Sequence, residues 1–249
     1  MIEQSTHRRI GILGGMGTAA GLAFAHRLVE LNVAASRDSQ HAGFILVSDP
    51  SIPSRVDAYL DSSTSPAPAI ASSLAKLSAL GADFGVVICN TAHIYFDEIS
   101  RQATLPLINM IGNVAGHVAR AAPGLPVGLL ATEATARSGL YVDHLAATSN
   151  TIVLPDQADQ ALVTAAIFDP EFGIKATRNA PSARALALLR EVALRMRDQH
   201  GIGHVILGCT ELSMAVTQTS WDGIELIDPV TLLARACLVR AGYPQPAGA

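Results

Sequence analysis

The chain has 249 residues, 49% hydrophobic and 15% charged, enough to bury one large core or two compact ones. A formal net charge of −4 gives no reason to expect nucleic acid or an anionic membrane as partner. The longest stretch without formal charge, residues 102–119, holds Pro106 and two glycines and will not span a bilayer; residues 1–9 are polar and do not read as a signal peptide, so a cytoplasmic location is expected.

Cys89, Cys209 and Cys237 then read as free thiols in a reducing compartment, and no cysteine or histidine spacing suggests zinc. Lys76 and Lys175 are the only lysines. Neither looks placed for a Schiff base, so no pyridoxal phosphate, and no other cofactor or metal, is expected.

In chain order, the apolar run at residues 10–13 reads as a strand running into Gly14-Gly15-Met16-Gly17-Thr18. A helix follows with Phe24, Leu28 and Leu31 on one face. Glycines at a strand-to-helix turn admit a ligand close to the backbone, and a helix N-terminus favours an anion. The turn loosely fits a dinucleotide fingerprint with Asp49 as the ribose acid, but Asp49 lies farther on than the usual ~20 residues. A small carboxylate ligand fits better. Residues 44–48 form a second strand, and the stiff loop Asp49-Pro50-Ser51-Ile52-Pro53-Ser54-Arg55 delivers an arginine able to grip a carboxylate. Residues 57–68 read as a surface loop, and the next helix turns Ile70, Leu74 and Leu77 inward, with Lys76 away from any strand end.

The run Val86-Val87-Ile88 ends in Cys89-Asn90-Thr91-Ala92-His93, where His93 either orients a neighbour or caps backbone. A helix over residues 112–122 precedes a second opening strand, Val127-Gly128-Leu129-Leu130, leading into Ala131-Thr132-Glu133-Ala134-Thr135. Residues 169–175 form a loop carrying Lys175, a lid or a surface loop. A core stripe of Leu186, Leu189, Ala193 and Met196 leads to Val205-Ile206-Leu207-Gly208-Cys209-Thr210-Glu211. Cys237 sits in the last apolar helix and reads as structural.

The chain therefore repeats itself. The strands at residues 10–13, 44–47, 86–88 and 106–108 return in order at 127–130, 151–154, 205–207 and 225–227 with nearly constant spacing. This is a duplicated α/β unit. Two cysteines at the same point of two similar strands, each beside hydrogen-bonding groups, point to a paired site. A dinucleotide-dependent oxidoreductase would not explain the second cysteine, and a two-lobed binding protein has no need of symmetric thiols.

The motifs Gly11-Ile-Leu-Gly-Gly-Met-Gly, Cys89-Asn-Thr-Ala-His93, Leu130-Ala-Thr-Glu-Ala-Thr135 and Gly208-Cys-Thr-Glu211 resemble the aspartate/glutamate racemase superfamily, in its cofactor-independent aspartate racemase branch. The resemblance implies two pseudo-symmetric α/β domains, each a mostly parallel four-stranded sheet flanked by helices, with the site in the cleft between them. It implies that the last helix of each repeat crosses over, giving one domain of residues 1–112 plus 229–249 and another of 113–228. It implies a homodimer and the interconversion of L- and D-aspartate, with glutamate second. Cys89 would serve D-aspartate and Cys209 L-aspartate. Met16, Asn90, Thr91, Ala92, Thr132, Thr135 and Thr210 would surround the substrate, with Arg55 and Lys175 on its distal carboxylate. The usual acid before that arginine is Ser54 here. Decarboxylases and maleate isomerases of the same superfamily are the alternatives.

The chemistry agrees with the residues. Racemisation takes the α-proton from one face of a carbanion and returns one to the other, so an acid/base on each wall is the direct solution. A thiol with a pKa of about 8.5, lower at a helix N-terminus, serves as either.

Overall fold

The computed structural model describes residues 7–177 and 181–244. The first repeat runs β1 (Ile10–Gly14), α1 (Thr18–Leu31), β2 (Phe44–Ser48), α2 (Arg55–Leu60), α3 (Ala67–Ala79), β3 (Phe84–Val87), a 3₁₀ turn (Thr91–Tyr95), α4 (Phe96–Gln102) and α5 (Met110–Ala121). The second runs β4 (Pro126–Ala131), α6 (Glu133–Arg137), α7 (Leu140–Leu145), β5 (Thr151–Val153), α8 (Gln157–Phe168) and α9 (Ala183–His200). It closes with β6 (His204–Gly208), α10 (Thr210–Ala215), β7 (Ser220–Trp221), β8 (Ile224–Ile227) and α11 (Pro229–Ala241). Among the described residues no helix is long and apolar enough to cross a membrane.

Two sheets result, ordered β2-β1-β3 and β5-β4-β6-β8-β7. Strands β1, β3, β4 and β6 are almost wholly buried, as strands covered on both faces require. The expected four-plus-four division becomes three and five. Leu107 reaches the first sheet only through a single bridge to Gly85. Pro106 has no N–H to extend the ladder, and three residues later Asn109 already caps α5 through Ile111 N and Gly112 N. In the second sheet the equivalent residues form the full strand β8, and the tight turn at Asp222 (φ 46°) and Gly223 (φ 86°) folds β7 back antiparallel onto it.

Helices cover both faces of each sheet. α3 covers one face of the first, with Ile70, Leu74 and Leu77 fully buried, and α8 and α9 cover one face of the second. The other faces are exchanged. Val230, Leu233, Cys237 and Leu238 of α11 pack with Ile10, Ile12, Phe24 and Phe84 of the first unit. Ile111, Val114 and Val118 of α5 pack with Val127, Leu129 and Ile206 of the second. Burial pushes the Cys237 thiol up, in keeping with a purely structural cysteine.

Parallel β1 and β3, and likewise β4 and β6, end at one level, and the loops after them converge. Gly208 closes β6 immediately before Cys209. A Cβ on it would lie 2.5 Å from Leu129 Cδ1 and 3.0 Å from Ala131 Cβ. Gly208→Ala should therefore cost ~1–3 kcal/mol, lowering Tm by roughly 2–10 °C in a chain of this size. Gly203→Ala, with open space around its Cβ, should leave Tm nearly unchanged. Calorimetry on the two variants distinguishes close packing at β6 from a general intolerance of substitution.

Candidate active site

The loops after β1, β3, β4 and β6, with α2 and the segment after α8, enclose a cavity of about 360 Å³. Of the residues expected to form the site, Met16, Arg55, Cys89, Asn90, Thr91, Thr132, Lys175, Cys209 and Thr210 line it. Ala92 and Thr135 do not. Ala92 is buried in the 3₁₀ turn, and Thr135 stands behind Thr91 and Thr132. Val56, Leu60, Thr164, Phe168, Glu133 and Glu211 complete the wall, and none of them was assigned a role from sequence.

Glu211 organises one side. Its Oε1 lies 2.6 Å from Lys175 Nζ, and its Oε2 accepts hydrogen bonds from Cys209 Sγ at 3.0 Å and Thr210 Oγ1 at 3.1 Å. Burial alone would raise the Glu211 pKa, but the Lys175 ammonium outweighs it and holds the carboxyl below its usual range. For Lys175, burial works against the charge and the Glu211 carboxylate more than restores it. The expected depression of both thiols at helix N-termini does not hold at Cys209. Burial first, and then the neighbouring carboxylate, push that thiol well up, and Lys175 only partly offsets them. Cys209 is thus a hydrogen-bonded thiol at rest.

Lys175 is accordingly not a free cation. The lid expectation for its loop also yields to the structure, because the backbone N–H groups of Ile174 and Lys175 bond to Ala166 O and Ile167 O at the end of α8. Asp169 Oδ1 caps Glu171 N and Phe172 N in the same turn. Gly17 explains part of the glycine-rich turn, since a Cβ there would sit 2.9 Å from Glu211 Oε1. Gly15, at φ 96°, packs its Cα on the Asp49 backbone. The Asp49 carboxylate is engaged by Ser51 Oγ at 2.5 Å and Ser73 Oγ at 2.6 Å. Lys76 Nζ also reaches it at 3.4 Å, so Lys76 does lie at a strand end, contrary to expectation. The ribose-binding role for Asp49 has no support in this arrangement.

Arg55 opens α2 and faces the cavity. Its Nη1 donates to Ile52 O and Pro53 O, and its Nη2 to Met16 O at 3.0 Å. Backbone carbonyls thus hold a guanidinium whose Nε–H has no partner. Of its five N–H donors, three are committed to these carbonyls.

Cys89 follows β3 and is 6% exposed. Its carbonyl accepts a hydrogen bond from His93 Nδ1 at 2.8 Å, while Met110 N–H donates to His93 Nε2 at 3.2 Å. These two bonds fix the neutral Nδ1–H tautomer, and His93 both orients the cysteine loop and caps α5. Nearby, Thr91, Thr132 and, behind them, Thr135 join their hydroxyls in a triangle of 2.9–3.1 Å edges. The Asn90 Oδ1 accepts from Tyr141 Oη at 2.5 Å, and its Nδ2 is unpartnered. Two thiols, a ring of hydroxyls, a carboxamide and a guanidinium in one pocket form a binding site for an anionic small molecule with acid–base groups at hand. Among the described residues, no group of three or more His, Cys, Asp or Glu side chains is placed to hold a metal ion.

Such a pocket at the strand ends of a duplicated α/β fold is suited to an isomerase that moves protons. Residues 13–237 match the Asp/Glu/hydantoin racemase family, so the chain belongs to that family and is a racemase. It is 27% identical over 234 residues, 91% of this chain and 95% of its relative, to the broad specificity amino-acid racemase RacX of Bacillus subtilis (strain 168). It is 29% identical to the Picrophilus torridus aspartate racemase structure, covering 96% of each chain with a TM-score of 0.82. The fold also matches an aspartate racemase homologue from Pyrococcus horikoshii OT3 at 22% identity and a TM-score of 0.72, covering 94% of this chain and 99% of that one.

His93 makes the site pH-sensitive. Burial lowers its pKa from 6.5 to about 4. Between those values the unfolded chain binds a proton that the folded protein does not, so stability falls as pH drops through this window. The loss should reach roughly 3 kcal/mol at full protonation. Half-buried His117 is lowered in the same sense, so the comparison must be with His93→Gln. That variant should be less stable at pH 7 but lose less on acidification. Denaturant titrations of both proteins across pH 4–7 test this, and parallel slopes would refute it.

Proposed function

We propose that this protein is a cofactor-independent amino-acid racemase that uses Cys89 and Cys209 as its two acid/base groups, with aspartate as the first substrate and glutamate the second. The observation that carries the reading is the single cavity lined by both cysteines and by Arg55, whose guanidinium is not fully committed to the protein. The domain reading, residues 1–112 plus 229–249 against 113–228, fits this proposal and the exchanged packing of α5 and α11. A homodimer remains the expected assembly.

In this mechanism the α-carboxylate lies against Asn90, Thr91 and Thr132, whose donors stabilise the negative charge that develops there, with Thr210 beside it and its hydroxyl hydrogen committed to Glu211. A thiolate at Cys89 removes the α-proton, and the electron pair passes into the carboxylate. The Cys209 S–H then protonates the α-carbon on the opposite face, leaving a Cys89 thiol and a Cys209 thiolate. The reverse direction exchanges the two roles. The resemblance assigns the enantiomer whose α-hydrogen faces Cys89 to D-aspartate. Glu211 and Lys175 keep charge balanced around Cys209 as its proton leaves and returns.

The distal carboxylate would take the free edge of Arg55. The RacX likeness and the apolar wall of Val56, Leu60 and Phe168 favour a second reading, in which larger side chains are also accepted.

Replacing either Cys89 or Cys209 with serine should abolish net racemisation. In D₂O each variant should exchange the α-proton of one enantiomer only, slowly and with retention, and the two variants should differ in which. Proton NMR of L- and D-aspartate measures this. Near wild-type racemisation by either variant, or loss of exchange for the same enantiomer in both, would overturn the two-thiol reading.

Arg55→Ala should weaken aspartate about ten- to a hundred-fold relative to alanine or serine, the cost of one charged hydrogen-bonded contact. Lys175→Ala should reduce turnover of every substrate, because it leaves the buried Glu211 unpaired. Steady-state kinetics on a panel of amino acids separates the two patterns, and an equal loss for all substrates with Arg55→Ala would remove its role in side-chain selection.

A further inference from the structure

Asn90 is 1% exposed and lines the cavity, yet its two amide ends are treated differently. Oδ1 accepts a hydrogen bond from Tyr141 Oη at 2.5 Å, and Nδ2 has no partner. A carboxamide rotated by half a turn has nearly the same shape, so packing alone does not decide which end meets the ligand. The partner decides it. With the amide reversed, Nδ2 would donate to the phenol oxygen, and the Tyr141 O–H, 1% exposed and outside the cavity wall, would lose its acceptor. An unpaired buried donor is costly, whereas in the observed orientation the unpartnered group is the Nδ2 of a residue that lines the cavity.

Tyr141 is well held for this task. It belongs to α7 in the second repeat, and its ring packs among Ile111, Leu140, Leu145 and Ile206. Asn90 belongs to the first repeat, so the bond joins the two halves across the site. Burial raises the phenol pKa far above its ordinary value, so Tyr141 keeps its proton and remains a donor at any pH where the protein is folded.

We propose that Tyr141 is a positioning residue that fixes the Asn90 carboxamide with its NH₂ toward the substrate, so that this wall of the pocket recognises a carboxylate. The proposal rests on the racemase reading only in naming that carboxylate as the substrate's α-carboxylate. Without the Tyr141 hydroxyl the amide loses its preference, and part of the population presents an oxygen to the anion.

The test is Tyr141→Phe, which keeps the ring in its core. Equilibrium binding is measured for aspartate and for its α-amide, which offers both a donor and an acceptor at that end. Aspartate should bind about tenfold more weakly, and the α-amide should change by less than about twofold. In an Asn90→Ala background, Tyr141→Phe should cost aspartate binding less than about twofold. Equal losses for both ligands, or the full loss in the Asn90→Ala background, would overturn the proposal. A readout without ligand stands beside these. In protein carrying ¹⁵N-asparagine, the Asn90 side-chain NH₂ signals, identified by their absence from Asn90→Ala, should shift in Tyr141→Phe, and unmoved signals would overturn it. A wild-type protein that binds aspartate without racemising it would sink the two-thiol mechanism and leave this test intact.

Discussion

A carboxylate with 5% of its side chain exposed has to be neutralised, and in this protein the neutralisation of Glu211 ties the site together. Lys175 takes one oxygen, and Cys209 with Thr210 takes the other. From that follow the resting thiol at Cys209, the inward turn of the segment after α8 and the need for a glycine at position 17. The pocket therefore contains two cations that are not equivalent. Lys175 is committed to a protein anion, while Arg55, held by backbone carbonyls, keeps its charge for a ligand.

The two halves are alike in plan and unlike in electrostatics. Cys209 has an acidic neighbour that accepts its hydrogen, and Cys89 has instead a neutral histidine bound to its backbone carbonyl. A racemase must handle two mirror-image substrates, but its own walls are made of L-residues and are not mirror images. In the proposed mechanism, opposite proton transfers would be assisted by different means at the two thiols. The duplicated fold places both cysteines on one cavity, and residues outside the repeat pattern make their surroundings differ.

Much of this was legible in the sequence because buried parallel strands are written as short apolar runs, and a duplicated unit writes them twice. The loops after those strands carried Cys89-Asn90-Thr91 and Cys209-Thr210, and nine of the eleven residues expected at the site line the cavity. What escaped reading depends on partners far apart in the chain. Glu211 stood in a quoted motif, but nothing local reveals that Lys175 returns to meet it. Tyr141 received no reading from the sequence, and its hydroxyl matters only through Asn90, 51 residues away in the chain. The helix expected at 112–122 begins instead at Met110, because Asn109 caps it and His93 accepts the first free N–H. The hairpin of β7 and β8 was signalled by Asp222-Gly223 and passed over, whereas the missing fourth strand of the first sheet reflects the proline that precedes Leu107.

The threonine triangle has one further meaning. Three hydroxyls that close a ring have three hydrogens for three edges, and Thr132 Oγ1 also receives the Thr135 N–H. The hydroxyl hydrogens of this wall are thus all used within the ring. Any guest that is to be bound by these hydroxyls must first break the ring and then offer acceptors better than another hydroxyl. A carboxylate does so, since hydrogen bonds to a charged acceptor are about twice as strong as neutral ones, and a neutral carbonyl or a water molecule gains little by the exchange. The ring thus works as a threshold, closed to weak acceptors and opened by charge.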